Sequence, residues 1–178
     1  MIRLRFTGAG VALLGSWIAA SAMAHDPPKD GCGAFSHDVA QELATMRLPA
    51  LPENALAHPP FPQLLVGKHY ALSLVTQAQM KFRVKPGSEA RAETLRGGAF
   101  EFTVPVAGRY RVSLTSRHWV DIIDGETVIG SLDHYGPGCE LVHKIVEFEL
   151  PAGRPLTLQL SGQDDAIVGL AITPVPTP

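Results

Sequence analysis

Seven histidines stand in a chain of 178 residues, enough to raise the question of a metal. His134 sits in Asp133-His134-Tyr135, Glu140 follows six positions later, and His143 comes three after that. Two imidazoles and one carboxylate are the facial set that holds Fe(II) and leaves positions open for oxygen and substrate. The same donors suit Zn2+ in an open site. His118 is an alternative third ligand. The spacing matches no highly specific motif. The competing reading is a polar loop around Gly136-Pro137-Gly138 whose side chains face solvent. His25 offers a second arrangement if it becomes the first residue after processing. Its α-amine and ring nitrogen would then suit Cu(II).

Other chemistries find less material. Gly-x-Ser-x-Gly is missing, and the serines lie in strand-like or turn-like stretches, so Ser-His-Asp catalysis has no support. Phosphate-cradling glycine loops are missing too. Lys plus Arg total 15 against 17 Asp plus Glu, a formal charge of −2. Arg109-Tyr110-Arg111 and Arg117-His118-Trp119 set cations beside aromatics, but nucleic-acid binding requires a far larger basic surface. Trp119 admits two placements. Exposed, it would form a sugar-stacking platform with Tyr110 and Tyr135, as in carbohydrate-binding modules; buried, it would pack against Phe100 or Phe148. Its strand-like, apolar neighbours favour the core.

The elements that must position these residues are mostly strands. From Leu64 onward, apolar residues recur with period two. Tyr70, Leu72 and Leu74 form one set; Met80, Phe82 and Val84 a second; Phe100, Phe102 and Val104 a third; Tyr110, Val112 and Leu114 a fourth. Trp119, Asp121 and Ile123 are less regular, Val146, Phe148 and Leu150 and then Leu156, Leu158 and Leu160 alternate cleanly, and Ile167 to Ile172 is more uniformly apolar. Alternation of this kind puts one face in the dry and one in the wet. Turn chemistry separates the runs, at Lys85-Pro86-Gly87-Ser88, Ala107-Gly108, Asp124-Gly125, Pro151-Ala152-Gly153 and Ser161-Gly162-Gln163-Asp164. Asp124-Gly125 is a strong hairpin signal. The fold class expected is all-β, an antiparallel β-sandwich or jelly roll of about eight or nine strands.

One short N-terminal helix is expected over Phe35–Arg47. Ser36 can cap it, and Val39, Leu43 and Met46 make an apolar stripe. Five prolines between Leu48 and Pro62 exclude helix and interior strand and predict an extended surface segment. The organisation expected is a leader over 1–24, the helix and Pro-rich segment over 25–62, a β-sandwich domain over 63–173, and a Pro-rich tail over 174–178.

The leader shows Arg3 and Arg5, an apolar run from Phe6 to Ala20, and Ala22-Met23-Ala24. These are the parts of a secretory signal peptide cut after Ala24, which predicts a periplasmic or secreted product. The apolar run falls short of the roughly 20 residues that span a bilayer, and no later stretch reaches that length, so no membrane span is expected after cleavage. Cys32 and Cys139 are the two cysteines, and an even pair in an exported protein predicts one disulfide.

Four phrases, with Cys32-Gly33-Ala34-Phe35 near the start, carry a resemblance. They are Gly98-Ala99-Phe100-Glu101-Phe102-Thr103-Val104, Ala107-Gly108-Arg109-Tyr110-Arg111-Val112-Ser113-Leu114, Trp119-Val120-Asp121-Ile122-Ile123 and Leu156-Thr157-Leu158-Gln159-Leu160-Ser161-Gly162. Over about residues 30–173 the chain resembles a group of small exported bacterial β-sandwich proteins of unknown function. Members of that group often carry the label homogentisate 1,2-dioxygenase. The label implies an iron held by two histidines and a glutamate. His134 and Glu140 reproduce one spacing of that set, while His143 lies closer to Glu140 than the enzyme's second histidine would. The strand phrases are also similar to the pre-peptidase C-terminal type of accessory sandwich. The His25 arrangement resembles that of the oxidative polysaccharide monooxygenases.

The reading favoured is an exported, non-catalytic protein that binds a ligand or partner in the cell envelope. The partner is an envelope protein, a carbohydrate or a small molecule, not a nucleic acid, and no cofactor is expected. Loops around His118-Trp119 and His134-Tyr135 would make the contact. The alternatives are an Fe(II)-dependent dioxygenase, or another divalent-metal site, on His134, Glu140, His143 and His118, and a carbohydrate-binding module on Trp119 and Tyr135.

Overall fold

Period-two alternation sorts side chains between two faces of each strand, and the computed structural model shows what each face meets. It describes residues 32, 35, 37–87, 92–136, 139 and 141–176. The leader over 1–24, His25, Ser36 and Glu140 lie outside the described residues.

Twelve strands form two six-stranded sheets. They are β1 (Leu51–Asn54), β2 (Gln63–Leu64), β3 (His69–Ser73), β4 (Val75–Thr76), β5 (Arg96–Phe102) and β6 (Gly108–Leu114), then β7 (Trp119–Asp124), β8 (Thr127–Ile129), β9 (Ser131–Tyr135), β10 (Lys144–Leu150), β11 (Leu156–Gln163) and β12 (Ile167–Pro174). The first sheet runs β1-β3-β12-β6-β10-β9. The second runs β2-β5-β11-β7-β8, with β4 also paired to β5. The alternating apolar sets meet between the sheets. Leu72, Val112, Leu114, Phe148, Leu170 and Ile172 come from the first, and Phe100, Phe102, Ile122, Leu156, Leu158 and Leu160 from the second. The fold is thus an all-β sandwich with one short helix.

The strand count exceeds the expected eight or nine because several edge elements are too short to display alternation. β2 and β4 have two residues each and β8 three. Two edge pairings, β1 with β3 and β2 with β5, are parallel. β1 falls inside the Pro-rich segment, where Pro52 is tolerated because the strand lies at a sheet edge. The Asp124-Gly125 hairpin forms as expected: Asp124 pairs with Thr127, and Gly125 takes φ +62°.

Two expectations are corrected. The Met80–Val84 set is not a strand. It crosses the outer face of the second sheet, held by one side-chain amide. Gln159 Oε1 accepts from the Arg83 and Val84 backbone N–H groups at 2.6 and 3.2 Å, and Gln159 Nε2 donates to the Val84 carbonyl at 3.1 Å. The amide thereby supplies the hydrogen bonds that a neighbouring strand would have made. Phe82 lies against Gly97, where an added Cβ would stand 2.9 Å from its ring and 2.8 Å from the Leu160 carbonyl oxygen. The helix, α1 (Ala40–Met46), starts later than expected. Asp38 Oδ1 accepts the Ala40 N–H at 3.0 Å, and the capping residue Val39 makes no side-chain cap.

The stripe of Val39, Leu43 and Met46 is buried as expected. It packs on the outer face of the first sheet with Tyr135, Val142, Ile145, Ala171 and Cys32. That face is therefore dry under α1, although alternation alone assigned it to solvent.

Candidate functional site

Two features stand out against this frame: a charged network sealed under α1, and an open basic hollow at one end of the sandwich. The network uses residues from the outward positions of four strands, β6, β9, β10 and β12. Arg111 of β6 donates Nε–H to Glu147 Oε2 of β10 at 2.9 Å and Nη1–H to the Asp38 carbonyl at 2.8 Å. Its Nη1 also lies 3.5 Å from Glu42 Oε1 of α1. Tyr135 donates its hydroxyl to Glu147 Oε2 at 3.0 Å, and Thr173 donates to Glu42 Oε1 at 3.2 Å. Arg109 reaches Glu147 Oε1 at 3.2 Å from the solvent side. Glu42, Arg111 and Glu147 are all buried. Burial alone would lower the Arg111 pKa. The Glu147 hydrogen bond and the charges of Glu42 and Glu147 outweigh it and raise the pKa. Burial and the Glu147 contact raise that of Tyr135, which stays neutral. With Glu42, Arg111 and Glu147 buried and paired, this network ties α1 to the sheet, and Tyr135 links it to the hollow.

The hollow, about 190 Å3, is lined by Arg117, His134, Tyr135, Gly136, His143 and Lys144. Gly136 lets the end of β9 close on the next segment. It takes φ +148°, and a Cβ there would lie 2.6 Å from the His143 carbonyl oxygen. Arg117 donates Nε–H to His143 Nε2 at 3.0 Å, so that ring nitrogen is the acceptor. Lys144 donates to the His118 carbonyl at 3.2 Å, and its Nζ stands 5.7 Å from the Trp119 ring centroid. Burial lowers the Lys144 pKa, against the pull of Asp121. Burial raises that of Asp121, which accepts the Trp119 indole N–H at 2.8 Å.

The histidines proposed as metal ligands are thus divided. His134 and His143 share the hollow, whereas His118 does not line it. Alternation separates them: Arg117 and Trp119 are exposed, whereas Ser116 and His118 are buried. Among the described residues, no three His, Cys, Asp or Glu stand close enough to hold a metal. Glu140 lies outside them. The neighbours of the two imidazoles are instead Arg117 and Lys144, whose charge opposes a dication. The described residues do not fit a bound metal.

Trp119 is 52% exposed, which corrects its placement in the core. The inward residues of β7 are Val120 and Ile122. The three-aromatic platform does not form. Tyr110 is buried, with its hydroxyl on the Val106 carbonyl. The Tyr135 ring is held between His37 at 4.4 Å and the Arg111 guanidinium at 5.3 Å. Arg117 and Lys144, which dominate the hollow, were not singled out as a pair in the sequence. The signal for Arg117 was its outward place in the alternation from Thr115 to Val120; Lys144 carried none.

Cys32 and Cys139 are joined in a disulfide, the bond of an oxidising compartment. No helix among the described residues is long and apolar enough to cross a membrane. No protein-family model matches the chain, and no curated protein matches it.

His118 yields a separate prediction. Its ring is fully buried, Nδ1 bonds Ser116 Oγ at 2.8 Å, and Nε2 has no hydrogen-bond partner among the described residues. Burial lowers its pKa from 6.5 to about 4, although Asp165, the Arg96 backbone and Asp164 pull upward. The unfolded chain therefore takes a proton at His118 before the folded chain does. Stability falls as pH drops from about 6.5 toward about 4. The stability difference between wild type and His118→Asn should narrow by about 3 kcal/mol between pH 7 and pH 4 in urea titrations. A constant difference would show that the buried imidazole takes up a proton as readily in the fold as in the unfolded chain.

Proposed function

We propose that this protein is an exported, non-catalytic β-sandwich of the periplasm or the secreted fraction, belonging to the small exported group it resembles. It binds a ligand or partner of the cell envelope through the hollow at the Arg117–Lys144 end. The basic lining of that hollow carries this reading: two cations and two imidazoles face one open space, and Trp119 lies exposed beside it. The chain as a whole carries a formal charge of −2, so such a grouping is not an average sample of its surface. The dense pairing of the buried network supports the frame role of the strands, which leaves the loops at this end for contact. The disulfide and the signal-like leader support export.

The test is a screen of envelope saccharides, peptides and small organic anions against the processed protein, with Trp119 fluorescence as readout. Trp17 lies in the leader, so the signal reports Trp119. Binding should be lost in Arg117→Ala/Lys144→Ala and kept in Arg154→Ala, a surface change elsewhere. Ligands that bind both variants equally would place the site away from the hollow and overturn the reading.

A further inference from the structure

The geometry points to a carboxylated saccharide of the uronic-acid type as the ligand, its sugar ring against Trp119 and its carboxylate among Arg117, His143 and Lys144. This rests on the reading of the hollow as the binding site and adds the chemical class of what fills it.

Three observations carry it. First, Trp119 is exposed with its polar edge already engaged: the indole N–H is bonded to Asp121 on the same strand, two residues on, and the Lys144 ammonium stands over the ring. An aromatic ring offered in this way binds the C–H face of a sugar ring. Second, Lys144 joins the ring to the hollow. Its ammonium stands near the Trp119 ring and its side chain also lines the hollow. A group on the indole therefore lies within reach of a cation without leaving the ring. Third, Arg117 uses Nε–H on His143, and no described residue accepts from its two terminal nitrogens. A carboxylate meets those paired donors in the planar geometry that arginine favours.

Size agrees. At about 190 Å3 the hollow is smaller than the roughly 300–1,000 Å3 that enclose a drug-sized ligand. It accepts a small charged headgroup and leaves the remainder of the ligand outside, over Trp119. Asp121 is an acidic group close to Lys144, and its carboxylate also accepts the indole N–H.

The experiment titrates the processed protein with trigalacturonate, with its methyl ester and with inorganic phosphate, by calorimetry and Trp119 fluorescence. The acid should bind at least about tenfold more tightly than the ester. Trp119→Ala and Arg117→Ala should each weaken the acid by about tenfold or more, while thermal melting of both variants stays near wild type. Equal binding of acid and ester would overturn the carboxylate while leaving a saccharide site. Phosphate binding without saccharide binding would overturn the class while leaving the hollow as an anion site. No binding by any of the three would overturn the inference, and the broader screen then decides whether the hollow binds something else.

Discussion

Arg111→Ala is expected to destabilise the protein by about 3–5 kcal/mol, the largest effect of any single charge removal in this fold. Arg111 is the inner cation between Glu42 and Glu147, and all three are buried. Arg109 reaches Glu147 only from an exposed position. Without Arg111, Glu42 keeps the Thr173 hydroxyl and no opposite charge within ion-pair distance among the described residues. An uncompensated buried carboxylate costs far more than a surface one. The Asp38 carbonyl loses its donor as well, and with it the start of α1 loses an anchor. Urea titration measures the change. The triple variant Arg111→Met/Glu42→Gln/Glu147→Gln should recover most of the loss, because replacing a whole buried ionic group is often neutral. A loss below about 1 kcal/mol in Arg111→Ala would mean that water reaches the network.

Removing the disulfide comes next. Cys32→Ala/Cys139→Ala should lower stability by about 4–5 kcal/mol on the chain-entropy account, since the bond closes a separation of 107 residues. For a chain of this size that corresponds to a fall in melting temperature of about 10–15 °C. The bond ties the segment before α1 to the loop after β9, and His143 follows that loop into the hollow. Ligand binding at the hollow should therefore weaken along with stability, and a reducing agent should reproduce both effects in the wild type. A melting temperature that does not respond to reduction would show that α1 packing alone fixes this face.

Much of the frame was legible in the residues. The inward sets Tyr70–Leu72–Leu74, Phe100–Phe102–Val104, Tyr110–Val112–Leu114, Val146–Phe148–Leu150 and Leu156–Leu158–Leu160 all reach the core. Alternation exposes such sets because a strand turns every second side chain to the same face. The stripe on α1, the Asp124-Gly125 hairpin and the cysteine pair were legible for equally local reasons. Met80–Val84 misled, because a segment that alternates can lie across a sheet as well as within one. Gln159, seventy-five residues or more away, decided between them. The grouping of histidines was legible only in part, and Glu140 lies outside the described residues. His118, His134 and His143 are near in sequence, but the alternation at 115–120 turns the first inward while the other two meet at the hollow. The apolar neighbours of Trp119 favour the core over the exposed placement, and the same alternation puts it outside.

The order of residues by itself determined that the cleanly alternating strands would form, which side of them would face the opposing sheet, where most of the turns between them fall, apart from the one expected at Ser161-Gly162, where β11 continues to Gln163, and that its two cysteines would pair. Each of these follows from chemistry within a few residues or from the count of a residue type. Only the tertiary structure decided that the outer face of the first sheet would be covered. Arg111 and Glu147 occupy positions that read as solvated, and α1 buries them with Glu42, which sits sixty-nine residues from Arg111. It also brought Arg117, His134, His143 and Lys144 to one opening beside Trp119. Local periodicity states which way a side chain points, whereas what it points at depends on the pairing of distant segments, set by the burial of the whole core.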